Sequence, residues 1–232
     1  MNRVMLLPIG LALASAAPAA APSGTTVLEL FTSQGCSSCP PADRLLAEVA
    51  DRPGVIVISR PVTYWNALGW KDTLAREENT RLQRAYQQRF KTRSIYTPQL
   101  VADGSREWVG SNRGRLAAEL RQRSDSVRVT IDRRGDGAVV ALDGPPRGNA
   151  EVKLLSLHGE RSVAIGRGEN GGRIVRYTNV VASESVVGRW TGGTGQVRID
   201  PEKLARLPGD RLAVIVQSPA AGPILGAALA VR

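Results

Sequence analysis

The 232-residue chain has two cysteines, one histidine and only 4% aromatic residues. Two cysteines cannot staple a disulfide-scaffold protein. A single histidine, His158, supplies no His-rich metal site. It nearly excludes zinc catalysis of the usual His-ligated kind and leaves little material for a Ser-His-Asp triad. Beyond the first 20 residues there is no apolar run of about 18 residues, so a polytopic membrane protein is excluded and stable membrane insertion is not expected. Hydrophobic residues at 42% and charged residues at 22% are ordinary globular usage, which excludes disorder for most of the chain.

Lys plus Arg is 31 against 21 for Asp plus Glu, a net charge of +10. A basic domain invites a nucleic-acid reading. Here the arginines are spread along the chain rather than clustered, so no nucleic-acid partner is expected. Residues 1–20 have the layout of a signal peptide. Arg3 is a short positive region, Val4 to Ala14 an apolar core, and Ala12-Leu13-Ala14 and Ala14-Ser15-Ala16 are small-residue cleavage sites. The expectation is an exported bacterial protein, periplasmic or secreted. In an oxidising compartment two cysteines can form a stable disulfide.

After the leader the pattern opens strand, Cys-x-x-Cys, helix, strand. Thr25 to Phe31 is β-branched and apolar, Pro40 to Asp51 repeats apolar residues at helical spacing, and Val55 to Ser59 reads as a buried strand. A polar helix is predicted over Thr73 to Phe90. Thr97-Pro98 then precedes a short strand, Gln99–Ala102, and Asp103-Gly104 turns it into a partner at Glu107 to Gly110. A helix is predicted from Asn112 to about Gln122. Beyond Ser124 short alternating runs recur between turns, with one short helix at Pro201–Arg206, and such spacing predicts a β-sandwich. The predicted division is residues 21–124 and 125–232.

The two cysteines, Cys36 and Cys39, are the most specific signal. At a helix N-terminus a thiolate faces unpaired N–H groups and the positive end of the helix dipole, which lower its pKa. Cys36 is the expected attacking thiolate. Cys39, one turn on, is the expected resolver of a mixed disulfide. Three other readings of the pair stay open: a structural disulfide, a vestige without a partner, and a copper(I) site, for which no third ligand is evident. No metal or cofactor is expected.

The order of elements resembles a thioredoxin fold. More closely, the run from Glu29 to Asp43 (ELFTSQGCSSCPPAD) resembles the opening motif of an uncharacterised bacterial secreted thioredoxin-like family, domain of unknown function 1223. Tyr64-Trp65, Leu68 to Asp72, Tyr96 to Gln99, Gly166 to Asn170, Thr178 to Val181 and Ile224 to Ala228 look like further blocks of it. The resemblance implies an α/β thioredoxin-like N-terminal domain followed by an all-β sandwich-like C-terminal domain. It also implies a cis Pro98 facing the cysteines, with the Thr97 backbone positioning a substrate strand. The family's block His-Val-Asp-Tyr-Trp-Asp is replaced here by Pro61-Val62-Thr63-Tyr64-Trp65-Asn66, so its ionisable groups are missing.

Tyr64 and Trp65 are candidates for lining a peptide groove beside Cys36, or for a hydrophobic plug. Glu29, on the strand feeding the cysteine loop, is a candidate proton carrier or a paired structural carboxylate; Leu30 occupies the position where thioredoxin keeps a buried Asp, and Glu29 would then point to the other side of the sheet. The expected function is thiol–disulfide exchange on a protein or small-molecule thiol or disulfide. The rival is a non-enzymatic extracytoplasmic binding protein; copper(I) handling is weaker.

Overall fold

The first strand, β1 (Thr26–Thr32), is buried along its whole length, as a strand covered on both faces must be. In this computed structural model, residues 24–122, 127–145 and 148–232 are described. The expected leader and the expected division at residue 124 lie outside them. β1 pairs in parallel with β2 (Val55–Pro61) and antiparallel with β3 (Gln99–Ala102), which turns at Asp103-Gly104 into β4 (Arg106–Val109). Helix α1 (Pro40–Val49) links β1 to β2, α2 (Glu77–Phe90) links β2 to β3, and α3 (Arg113–Glu119) follows β4.

Alternation along β1 sends neighbouring residues to opposite faces. Leu28 and Leu30 pack with Ala42, Leu45, Leu46 and Val49 of α1. Val27 joins Ile56 and Ile58 in a different cluster, and Phe31 meets Tyr86 of α2.

The remaining elements are β5 (Arg128–Arg134), β6 (Gly137–Asp143), β7 (Ala150–Ala164), β8 (Ile174–Trp190), β9 (Gly195–Ile199), α4 (Pro201–Arg206), β10 (Arg211–Gln217) and β11 (Ile224–Val231). They do not form the architecture expected from the sequence. In place of a thioredoxin-like α/β domain followed by a separate sandwich, the chain is mostly β and is built on one mixed eight-stranded sheet, in the order β11-β10-β7-β8-β2-β1-β3-β4. Among the described residues only β5, β6 and β9 form a second sheet.

The seam between the halves is β2 against β8. They run parallel, with Ser59 opposite Val180. Ser59 Oγ donates to the Thr178 carbonyl at 2.8 Å, and Asn179 Nδ2 donates to the Val57 carbonyl at 3.0 Å. Without β8, the free edge of β2 would be a row of unpaired N–H and C=O groups in an apolar strand, an open template for association. The core crosses the same seam: Val27, Ile56 and Ile58 pack with Leu155, Leu157, Ala213 and Ile215. The small sheet covers the far part of β7 and β10 through Val140, Leu142, Val152, Leu154 and Val214.

The predicted strands Glu151–Leu157 and Arg161–Gly166 are one strand, β7, and the strand predicted to end at Val181 continues to Trp190 as β8. Among the described residues no helix is long and apolar enough to cross a membrane.

Candidate functional site

The polar loop after β1 turns tightly into α1. The Cys36 N–H donates to the Ser33 carbonyl and the Cys39 N–H to the Cys36 carbonyl, both at 3.2 Å. Cys39 is the N-cap residue of α1, with Pro40 and Pro41 in its first turn, where a missing N–H costs nothing. Cys36 and Cys39 form a disulfide, and both residues are completely buried.

Three segments enclose the loop. The first is 65–73. Asp72 Oδ2 accepts the Gln34 N–H at 2.8 Å, Trp70 Nε1 donates to Gln34 Oε1 at 2.8 Å, and Gln34 Nε2 donates to Thr73 Oγ1 at 3.1 Å. The second comes from the other half of the chain, the loop between β7 and β8. Asn170, itself buried, donates from Nδ2 to the carbonyls of Gln34 (3.0 Å) and Cys36 (2.8 Å). Next to it, Glu169 accepts the Ser37 N–H at 3.2 Å, and the Ser37 side chain together with that N–H holds its carboxyl below the usual range.

The third is the 64–65 and 97–98 pair. Trp65 lies against Gly35, where an added Cβ would come within 3.3 Å of Trp65 Cβ, and its Nε1 donates to Thr97 Oγ1 at 2.8 Å. The Thr97–Pro98 peptide is cis. Pro98, Ala42 of α1 and Leu30 of β1 converge on Gly110, where an added Cβ would lie within 3.3, 3.2 and 2.7 Å of them.

Of the residues singled out from sequence, Cys36 and Cys39 lie in the loop, Trp65 packs on it at Gly35, Thr97 is joined to it through Trp65, and Pro98 packs at Gly110 beside Leu30 and Ala42. Tyr64 is half-buried, tilted against Trp65 at 6.4 Å between ring centroids, and packs toward Phe31 and Val62; burial pushes its phenol up. Glu29 is not brought to the cysteines. It lies on the opposite face of β1 from Leu30 and α1, where it accepts from Arg60 Nε and Tyr86 Oη, each at 2.6 Å. The residues replacing the family's ionisable block serve as local scaffold. The Pro61 carbonyl accepts from Asn79 Nδ2 at 2.9 Å, Thr63 Oγ1 donates to Glu77 at 2.5 Å, and Asn66 Oδ1 accepts the Asp72 N–H at 3.0 Å.

Sequence reasoning passed over Asp43. It follows Cys39 by four residues in α1, so both project from one face of the helix. Its side chain is fully buried, and neither carboxyl oxygen makes a well-aligned hydrogen bond, although the Thr32 hydroxyl stands close enough to favour the charged form. Burial pushes this carboxyl up to about 8; the Thr32 hydroxyl pulls it down, the Asp72 charge pushes it further up, and the Arg44 charge pulls it down. Asp72 is itself raised by burial, against the pull of its backbone hydrogen bonds. The clue was a single acid inside an otherwise apolar helical stripe. Asp72 and Asn170 stand in stretches read as an irregular aromatic segment and a Gly-rich hairpin turn, with no contact to the cysteines expected of either. Among the described residues no group of three His, Cys, Asp or Glu side chains is placed to hold a metal ion.

Solved structures similar to this chain include protein AGR_C_4864 from Agrobacterium tumefaciens, at 32% identity and a TM-score of 0.79, covering 90% of this chain and 95% of that one. HBP35 of Porphyromonas gingivalis has a TM-score of 0.59 over 90% of this chain and 75% of its own, and at 13% identity the likeness is one of fold alone. No curated protein matches. The model of the family described as "Protein of unknown function (DUF1223)" matches residues 27–217, and the chain belongs to that family.

Proposed function

We propose that the protein carries out thiol–disulfide exchange through Cys36 and Cys39 outside the cytoplasm. The observation that carries the reading is the pairing of a disulfide at the start of α1 with an unpartnered, buried acid on the same helix face. A substrate thiolate attacks Cys36 Sγ. The S–S bond breaks, a mixed disulfide forms at Cys36, and Cys39 leaves as a thiolate that takes the proton of the neutral Asp43 carboxyl. In the return step the Asp43 carboxylate takes the proton back from Cys39, whose thiolate attacks Cys36 Sγ and releases the substrate thiolate. The helix N-terminus lowers the cost of each thiolate. The Thr97 backbone and Pro98 line the approach, with Trp65 bracing Thr97. The leader read over residues 1–20 supports a compartment in which the pair is used oxidised.

The test is to equilibrate the protein in graded glutathione buffers, trap thiols by alkylation and read the intact mass, alongside exchange with a protein disulfide by the wild type and Cys36→Ser. A reversible dithiol–disulfide transition and loss of exchange in the variant are expected. A pair that stays oxidised at every ratio, or a variant that exchanges as fast as the wild type, overturns the reading and leaves a binding protein in its place.

A further inference from the structure

We infer that the loop between β7 and β8 is a latch over the disulfide, with Asn170 as its bolt, and that Cys36 becomes reachable only when this loop lifts. The inference takes exchange at the pair as its reason for a gate, but access can be measured separately from exchange.

The loop holds its own shape. The Ile165 N–H donates to the Arg173 carbonyl at 2.9 Å, the Gly172 N–H to the Ile165 carbonyl at 2.8 Å, and the Gly171 N–H to the Gly168 carbonyl at 3.0 Å. Arg173 Nη1 donates to Asn170 Oδ1 at 3.1 Å. Gly168 and Gly172 sit at φ +76° and +80°, where side chains are strained. None of these bonds involves the cysteine loop, so all survive if the segment moves as one body.

What ties it down is small by comparison. Asn170 Nδ2 makes its two bonds to the Gln34 and Cys36 carbonyls, and Glu169 accepts from the Ser37 N–H. Packing adds to these: an added Cβ on Gly166 or Gly168 would lie 3.1 or 3.3 Å from the Trp70 side chain, and Ile165 at the foot of the loop is buried in a cluster against which Trp70 and Leu74 pack. All three hydrogen bonds land on the backbone of residues 34–37. Lifting the loop therefore frees the chain around Cys36 while β7 and β8 stay paired. A working disulfide hidden at zero exposure needs a way to be reached.

The experiment is reduction of the oxidised full chain by a water-soluble phosphine, in which phosphorus is oxidised to the phosphine oxide, water supplies the oxygen, and two thiols form. Rates are compared for the wild type, Asn170→Ala and Glu169→Ala, with amide hydrogen exchange of β7, β8 and β10 as the control for general loosening. Of the three side-chain hydrogen bonds lost with Asn170, the two that reach the cysteine loop correspond to an acceleration of about tenfold, and the one at exposed Glu169 to about threefold. Glu169→Ala keeps the test available if Asn170→Ala does not fold. Acceleration in either variant with unchanged sheet protection supports the latch. Wild-type rates in the folded variants, an acceleration matched by equal loss of sheet protection, or a wild-type disulfide reduced as fast as in denaturant overturns it. Accelerated reduction without any glutathione equilibrium would keep the latch and sink the exchange reading.

Discussion

On one face of β1, Glu29 is buried in a network in which the charged groups are matched. Arg60 bridges it to Glu184 at 2.6 and 2.8 Å, Tyr86 donates to it, Gln217 donates to Tyr86 at 2.9 Å, and Lys153 approaches Glu184 at 3.6 Å. Burial alone would raise Glu184, yet Arg60 and Lys153 hold its carboxyl below the usual range. On the other face, the helix that packs against Leu28 and Leu30 buries Asp43 with no hydrogen-bond partner, and its carboxyl stays protonated up to about pH 8. Two acids a few residues from one strand thus do opposite things. The satisfied one is ballast for the fold; the unsatisfied one keeps a proton it can exchange. The difference lies in what packs on each face, not in the carboxyl group.

The largest effect should come from unbalancing the matched side. Arg60→Met leaves Glu29 charged and unpaired in the interior, and chemical denaturation should show a loss of about 3–5 kcal/mol. Adding Glu29→Leu should recover much of it; no recovery would show that Arg60 matters by packing instead.

Next is the unmatched side. Asp43 titrates near 3.8 when unfolded and near 8 when folded. Between these values the folded chain holds a proton that the unfolded chain has lost. Its contribution to stability is therefore fully present below about pH 4 and is lost as pH rises through 8, on the order of 3 kcal/mol between pH 5 and 8. Asp43→Asn should flatten that slope in denaturation curves taken at both ends, leaving a smaller slope of the same sign from Asp72, whose carboxyl burial also raises. An unchanged slope would mean that Asp43 is not the titrating group.

Tyr86→Phe removes one donor to Glu29 and one acceptor for Gln217, and a loss of about 1–2 kcal/mol is expected by denaturation. The smallest effect tests the comparison from outside the core. Glu48 pairs with Arg113 at 2.6 and 2.9 Å, but both side chains are about half exposed or more. Glu48→Gln should leave the melting midpoint unchanged, because water already solvates these charges.

Much of the site was legible because it is local. The β1 pattern, the two cysteines, the prolines opening α1 and the turn at Asp103-Gly104 each act over a few residues, and strand, helix start and hairpin all stand where the pattern places them. Trp65 and Thr97, 32 positions apart, were both singled out, yet the hydrogen bond between them was not foreseeable. Glu29, near the cysteines in sequence, had two readings, proton carrier and paired structural carboxylate, and it pairs with Arg60. Alternation along β1 turns it to the far face. Asn170 lies 134 residues from Cys36 and carried no local sign of the contact.

The sequence by itself determined the elements around the cysteines and the placing of these two residues one turn apart at the start of α1, since these depend on spacing and backbone chemistry within a short stretch. Tertiary structure decided which strand closes the edge of β2, that two halves share one sheet, which acid is left without a partner, and which loop covers the disulfide. A period-two pattern says which face of a strand is buried but not which neighbour it pairs with, and a carboxyl group's proton affinity is set by surroundings that distant segments bring to it.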